Sequence, residues 1–195
     1  AQPYPLRTRD GFATLMGEVS GRPVVYNQIV YNANVPNQWR DHLDIVEQRI
    51  KEGKQIYPVV NPRPQSTRFT MRNGQVFDRL PTWQPLMMKT PEEKLVAFAD
   101  PAIRAQLHAE AVEGKDLPPT AFPINWAGIF VTRTALEKNR GLQGKSIAAI
   151  AEEQGKSVID AFLDLAIEED LNTSFRNSQS GGDNEAMKTM LQSPY

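Results

Sequence analysis

A strand, a helix and a second strand follow one another between residues 23 and 60, and this pattern constrains the fold more than any other feature. The segment PVVYNQIVYN is rich in β-branched and aromatic residues, which favours a strand. The next segment, NQWRDHLDIVEQRIKEGKQ, predicts a helix that ends near Gly53. Its apolar residues fall on one helical stripe: Trp39, Leu43, Val46 and Ile50. The strand QIYPVV follows at once. A strand–helix–strand unit predicts two parallel strands, and therefore an α/β fold.

The composition narrows the classes of protein to which the chain can belong. It has 195 residues, of which 40% are hydrophobic and 23% charged, which is typical of a soluble globular domain or part of a larger one. A net charge of −1 gives no electrostatic case for binding nucleic acid or an anionic membrane. No apolar run approaches the roughly 18 residues of a membrane span. The absence of Cys removes thiolate metal sites and fits a reducing compartment, so we expect a cytoplasmic protein.

The middle of the chain departs from the β/α rhythm. Residues 80–122 are rich in Pro and predict short helices, which are more typical of an insertion or lid than of a barrel repeat. We therefore expect β/α units over residues 1–79, a helical insertion over residues 80–122, and further β/α units over residues 123–195. Polar residues predict the helix starts in the last two segments: Thr90, Asp100, Ser146, Ser157 and Asp183. Within the third segment, NWAGIFVTRT predicts a strand, and residues 158–166 predict a helix with an apolar face. The predicted alternation of strands and helices ends with a short helix before Tyr195, where a strand would be expected next.

Candidate binding residues are those that follow or interrupt the predicted strands, because ligands of parallel β/α folds bind at the carboxyl ends of strands. Asn27, Gln28 and Asn32 belong to the first strand, residues 61–68 follow the second, and residues 132–134 follow the third. A polar edge face or a loop that satisfies its own backbone would explain the same residues. Arg63 and Arg68 could bind a substrate carboxylate through two parallel hydrogen bonds, or they could be ordinary surface arginines.

The sequence contains no motif that specifies a reaction. It has no phosphate-binding loop, no nucleophile-elbow motif and no HExxH pair. The two histidines, His42 and His108, lie far apart in sequence and are more typical of solvated helix positions than of metal ligands. The acidic runs, among them Glu168-Glu169-Asp170, are most simply solvated helix faces. We expect no metal to be bound by this chain alone.

The order of several segments resembles the C-terminal half of the D-aminoacylases, the N-acyl-D-amino-acid deacylases of amidohydrolase family 3. The segments that carry the resemblance are GRPVVYNQIVYNA, QIYPVVNPRPQSTRFTM, the Pro-rich insertion, GKSIAAIAEEQGKSVIDAFLDLAIEEDL and NEAMKTMLQSPY. The resemblance implies a partial (β/α)₈ TIM barrel with a helical insertion that covers the active site. It also implies a zinc ion that activates water against an amide bond.

For individual residues, the resemblance implies a pocket for the substrate's carboxylate lined by Tyr57, Ser66 and Thr67, with Arg63 and Arg68 as its neighbours. Asn27 and Gln28 complete the expected binding residues. The sequence also departs from the family. Gln28 and Ile29 stand where a metal-ligand His is usual, and the family's HxH and Ser-Asp-Gly motifs would fall before Ala1 and after Tyr195. These departures predict that the chain contributes no metal ligand and no catalytic residue.

Two hypotheses follow. In the first, the chain is a domain of a metal-dependent amidohydrolase, a hydrolase of non-peptide amide bonds in N-acyl amino acids or related amides, and is inactive without the remainder of the barrel. In the second, it is a non-catalytic binding or assembly domain that forms homo-oligomers, because an incomplete barrel exposes strand edges and apolar faces.

Overall fold

The computed structural model describes residues 8–32, 35–60, 65–118, 121–180 and 183–194. Within these ranges the helices are α1 (Arg9–Ser20), α2 (Gln38–Lys51), α3 (Trp83–Met87), α4 (Pro91–Ala99), α5 (Pro101–Ala111), α6 (Ile147–Gln154), α7 (Val158–Glu168) and α8 (Asn184–Gln192). The strands are β1 (Val24–Ile29), β2 (Ile56–Val60), β3 (Gln65–Phe69), β4 (Ile129–Arg133) and β5 (Ser174–Ser180). The described residues form mixed α/β structure with two small sheets and no closed barrel.

The chain divides into two compact units. The first unit contains Ala1–Gln65 and Gln179–Tyr195, and the second contains Ser66–Ser178. The first unit therefore combines both ends of the sequence, whereas the segments predicted above are consecutive along the chain. The three predicted segments remain a prediction. None of the helices in the described ranges combines the length and the apolar composition that a membrane span requires.

The first unit contains the predicted parallel pair. Strands β1 and β2 pair in parallel, with Val24 opposite Ile56 and Asn27 opposite Val59, and the register shifts between Asn27 and Ile29. This confirms the strand–helix–strand prediction. The core of the unit joins the buried residues of α2 to both strands, α1 and α8: Ala13, Ile29, Trp39, Leu43, Val46, Ile56, Ala186 and Met190.

Helix α1 packs through the face opposite to the one its sequence suggests. Phe12, Met16 and Val19 have the spacing of a core stripe, yet 55%, 47% and 80% of their surfaces are exposed. The buried face carries Asp10, Gly11, Ala13 and Thr14 instead. These smaller residues allow the helix to approach the sheet closely, since a Cβ at Gly17 would lie 3.7 Å from a methyl group of Val24.

The second unit is organised around packed aromatic rings. Phe77 stacks on Trp83 with ring centroids 4.2 Å apart, and Phe162 lies 4.8 Å from Phe175. Phe69 stacks on Phe175 at 5.4 Å. Such pairs add roughly 0.5–1.5 kcal/mol beyond the burial of their area, so they fix the relative positions of α3, α7 and the sheet.

The sheet of the second unit has the order β3-β5-β4, and β4 and β5 are antiparallel. The sequence predicts only β4 of these three strands. Residues of β3 fall in the polar segment that follows the second predicted strand, and β5 has no strand pattern because SFRNSQS has a single large apolar residue, Phe175. An antiparallel pair also differs from the all-parallel strands of a (β/α)₈ barrel.

The predicted helix starts are confirmed. Thr90 and Glu93 form a reciprocal capping box at α4, and Asp100 accepts hydrogen bonds from two backbone N–H groups of α5. Ser146, Ser157 and Asp183 each accept a backbone hydrogen bond at the first turn of α6, α7 and α8. Short polar side chains cap because they satisfy the backbone donors of the first helical turn.

The prediction that Glu169 belongs to a solvated face is wrong. Only 2% of this residue is exposed, and its carboxylate accepts hydrogen bonds from Ala135 N, Leu136 N, Asn139 Nδ2 and Thr173 Oγ1. Burial alone would raise the pKa of Glu169, but these four donors outweigh it and hold the pKa below its ordinary value. Glu169 therefore anchors the loop that follows β4.

Candidate functional site

The two faces of the β1–β2 sheet differ in what covers them. Helices α1 and α2 pack on one face, where Ile56 is fully buried. The other face carries Val25, Asn27, Tyr57 and Val59, which alternate along their strands with the covered residues and are all exposed. Val25 lies opposite Tyr57, and Asn27 lies opposite Val59, so Asn27 and Tyr57 are diagonal neighbours on this face.

A buried carboxylate lies on the covered side of the same sheet. Tyr26 Oη donates to Asp10 Oδ1 at 2.6 Å, and His42 Nδ1 lies 2.5 Å from Asp10 Oδ2. Burial alone would raise the pKa of Asp10, but the hydrogen bonds from His42 and Tyr26 and the charge of Arg9 hold it below the ordinary value. The pKa of Tyr26 is raised by burial and by its bond to this carboxylate. The cluster joins α1, β1 and α2, and sequence spacing gave no signal for it because its members are 16 and 32 residues apart.

The three-stranded sheet of the second unit presents a polar outer face. Phe69 and Phe175 lie on the core side, so the residues beside them, Arg68 and Arg176, lie on the opposite side by strand alternation. Arg176 lies opposite Phe130 of β4, and its guanidinium carbon is 5.2 Å from the centre of that ring. Ser66 shares the exposed side of β3 with Arg68. Sequence reasoning singled out Arg68 but missed Arg176, because β5 was not recognised as a strand.

The predicted binding residues are distributed over both units. Asn27, Gln28 and Tyr57 belong to the first unit, whereas Ser66, Thr67 and Arg68 belong to the second. Gln28 is at the shift in register of β1. Thr67 alternates with Ser66 and Arg68 and shares the core side of β3 with Phe69, so it does not join them on the outer face. Arg63 lies outside the described residues.

The described residues do not fit a zinc site. Within the described ranges, no group of three or more Asp, Glu or His side chains is close enough to hold a metal ion. His42 is engaged through Nδ1 with Asp10 in the first unit, and His108 lies 3.4 Å from Glu113 in the second. A catalytic zinc usually requires three protein ligands in one place.

A large groove runs along α7 in the second unit, with a volume of about 1280 Å³. Its polar groups largely satisfy one another. Arg104 donates to Asp160 at 2.9 Å and pairs with Asp164 at 2.8 Å, and Lys156 donates to the other oxygen of Asp164 at 2.8 Å. The carboxylates hold the pKa of Arg104 above its ordinary value even though burial opposes this. The network ties α5 to α7 and leaves few polar groups available to a ligand.

Comparison with known proteins gives one structural similarity. No model of a known protein family matches the chain, and no curated protein matches it. Among solved structures, the chain is similar to N-acyl-D-glutamate deacylase from Bordetella bronchiseptica, complexed with zinc and a phosphonate inhibitor that mimics the tetrahedral intermediate. The identity is 13% and the TM-score 0.45, and the match covers 95% of this chain and 27% of that chain. The chain thus spans about a quarter of that deacylase's length.

Proposed function

We propose that this chain is a domain of a metal-dependent amidohydrolase that acts on N-acyl amino acids or related amides, and that it does not hydrolyse them alone. The proposal combines the resemblance of the sequence to the D-aminoacylases with the geometry of the first unit. Zinc in such enzymes activates water against the amide bond. Because the described residues do not fit a zinc site, we assign no step to the metal and expect its ligands to come from other residues.

The observation that carries the proposal is the one-sided β1–β2 sheet. Parallel sheets of α/β proteins are normally covered on both faces. Here α1 and α2 cover one face, while Asn27 and Tyr57 lie on the exposed one. In a (β/α)₈ barrel, helices cover the outer face of the strands and the inner face lines the barrel. A β/α unit with polar groups on its helix-free face therefore supports a barrel segment whose substrate binds on that side.

We propose substrate-binding roles for the residues of each unit separately. In the first unit these are Asn27, Gln28 and Tyr57. In the second unit they are Ser66 and Arg68 on the outer face of β3, with Thr67 in a supporting position on its core side. Arg63 remains a proposal from the sequence alone.

Hydrolysis by the full natural gene product tests the proposal. We expect zinc-dependent release of the amino acid from N-acetyl-D-amino acids or related amides, and no release by the 195-residue chain. Tyr57→Phe and Asn27→Ala should raise KM by about 10- to 100-fold, the effect of losing one hydrogen bond to a charged group. Asn73→Ala, a change at an exposed residue of the second unit, should leave KM unchanged. Failure of the zinc-loaded gene product to hydrolyse any N-acyl amino acid or related amide would refute the proposal.

One observation favours the second candidate, a non-catalytic domain that self-associates. The exposed face of α1 carries Phe12, Met16 and Val19, and an apolar stripe of this kind is typical of an interaction surface. For an assembly domain, we expect sedimentation velocity to detect oligomers whose fraction rises with concentration. The double variant Phe12→Ser/Met16→Gln should abolish them, whereas Ile45→Gln on α2 should not. A chain that stays monomeric at all concentrations would exclude this candidate.

A further inference from the structure

The three-stranded sheet of the second unit has an unusual distribution of charge. Each strand contains one arginine: Arg68 in β3, Arg133 in β4 and Arg176 in β5. None of the three strands contains an aspartate or a glutamate. Opposite charges across neighbouring strands stabilise a sheet, whereas like charges directly opposite each other are destabilising. Three positive charges on adjacent strands, without a negative one, therefore oppose the stability of the sheet.

Three other arginines of the second unit are paired with carboxylates, whereas Arg79 is an exposed arginine outside the sheet. Arg72 pairs with Asp170 at 2.5 Å, Arg104 pairs with Asp160 and Asp164, and Arg140 pairs with Glu137 at 2.8 Å. By contrast, no carboxylate of the described residues forms an ion pair with Arg68, Arg133 or Arg176, and all three side chains are exposed. Their charge is therefore available to an anion from outside the chain.

The packing of the sheet directs two of these arginines to the same side. Phe69 of β3 stacks against Phe175 of the adjacent β5 on the core side. Arg68 precedes Phe69 and Arg176 follows Phe175, so both lie on the outer face of neighbouring strands. On one face of two neighbouring strands, residues that lie directly opposite or diagonal to each other have Cβ atoms about 5–8 Å apart. A single small anion can span that distance.

Side chains around the pair support a fixed binding geometry. The guanidinium of Arg176 lies 5.2 Å from the centre of the Phe130 ring, which restricts its orientation. Thr132 donates to the backbone oxygen of Ser174 at 2.9 Å and so fixes β4 against β5 on the same face. Ser66 adds a hydroxyl on the exposed side of β3. Arginine is well suited to this task because its planar group donates two parallel hydrogen bonds to a carboxylate.

The geometry points to Arg176 and Arg68 as a two-arginine clamp for the carboxylates of a small-molecule ligand, on the outer face of the β3-β5-β4 sheet. This inference rests on the proposed function and deepens it: the clamp assigns Arg176 as a specificity-determining residue and selects substrates with carboxylate groups. The positive charge of the three strands exceeds what one carboxylate neutralises, so a dicarboxylate binds more tightly than a monocarboxylate.

Isothermal titration of the 195-residue chain tests the clamp without requiring hydrolysis. The probes are glutarate, N-acetylglycine, the neutral N-acetylglycinamide and inorganic phosphate. We expect glutarate to bind more tightly than N-acetylglycine, and N-acetylglycinamide not to bind. Arg68→Ala and Arg176→Ala should each weaken glutarate binding by about tenfold or more, the loss of a charge-assisted hydrogen bond. Arg176→Lys keeps the positive charge but loses the two parallel hydrogen bonds. Its affinity for glutarate should therefore lie between that of the parent chain and that of Arg176→Ala.

Arg79→Ala is the matched control, because Arg79 is an exposed arginine of the same unit outside the sheet. Equal affinity for glutarate and N-acetylglycinamide, or equal losses in Arg79→Ala and Arg176→Ala, would overturn the clamp. Tighter binding of phosphate than of glutarate would overturn its selectivity for carboxylates. If glutarate binds through both arginines but the full gene product hydrolyses no N-acyl amino acid or related amide, the clamp stands and the proposed function fails. If the full gene product hydrolyses an N-acyl amino acid and Arg176→Ala does not change its KM, the proposed function stands and the clamp fails.

Discussion

His42 Nδ1 and Asp10 Oδ2 are 2.5 Å apart and join the first turn of α1 to the second turn of α2. The carboxylate of Asp10 is almost entirely buried, and its other oxygen accepts the hydroxyl of Tyr26. This contact explains the reversed packing of α1. Once Asp10 is held between Tyr26 and His42, the helix must turn its small residues to the sheet and expose Phe12 and Met16.

Replacing Asp10 with Asn should lower the free energy of unfolding by about 2–3 kcal/mol, because the amide cannot accept from both Tyr26 and His42 as a carboxylate does. Urea denaturation followed by circular dichroism measures this loss. Asp44→Asn, a change at an exposed position of α2, should stay within about 0.5 kcal/mol of the parent chain. Equal losses in the two variants would contradict the role of the cluster.

The contribution of Asp10 should depend on pH in a defined direction. Its pKa in the folded chain is lowered, so the stabilisation is fully present above the ordinary Asp value of about 4 and is lost as the pH falls through the folded-state pKa. The difference in unfolding free energy between the parent chain and Asp10→Asn should therefore shrink on going from pH 7 to pH 3. A difference that stays constant over this range would be inconsistent with a lowered pKa.

Glu169 and Glu168 are adjacent residues that should respond differently to the same change. Glu169→Gln should destabilise the chain by about 2–3 kcal/mol, because the amide group would place donors against the backbone N–H groups of Ala135 and Leu136. Glu168→Gln removes an exposed ion pair with Lys138 and weakens an exposed hydrogen bond from Asn139, for which about 0–1 kcal/mol in total is expected. Thermal and urea denaturation of both variants test this, and a larger loss in Glu168→Gln would refute the assignment.

Gly155 ends α6 in a left-handed conformation, with φ of 62°. Alanine there should cost about 1 kcal/mol from backbone strain alone, because no atom lies within 4 Å of the added Cβ. Gly141 is also open to solvent but does not have a positive φ, so Gly141→Ala should be neutral or slightly stabilising. Similar losses in both variants would show that lost contacts, rather than φ, determine the effect.

Features specified by local chemistry could be predicted from the sequence. Caps such as Thr90 and Ser157 depend on a side chain and a backbone group three residues away, so the local pattern is sufficient. The same holds for the core face of α2, where Trp39, Leu43 and Val46 repeat with the helical period and are all buried. The parallel pairing of β1 and β2 was also predictable, since a single helix that connects two strands favours their parallel pairing.

The candidate site was less predictable because its residues come together through sheet pairing. Strand β5 lies between β3 and β4 although its sequence has almost no apolar alternation, so neither the strand nor Arg176 could be identified from local pattern. Arg68 could be singled out as a candidate, but its neighbour across the sheet could not.

Local residue patterns were enough to predict where most helices begin, which face of α2 is buried, and the strand–helix–strand unit of residues 23–60. The three-dimensional packing was needed to establish that Asp10 and Glu169 are buried, that α1 exposes its apolar stripe, and that Arg68 and Arg176 share one face. Burying a carboxylate is costly without donors, and those donors are supplied by residues that only folding brings near. The free energy that stabilises these buried and paired side chains therefore comes from contacts between residues that are distant in sequence.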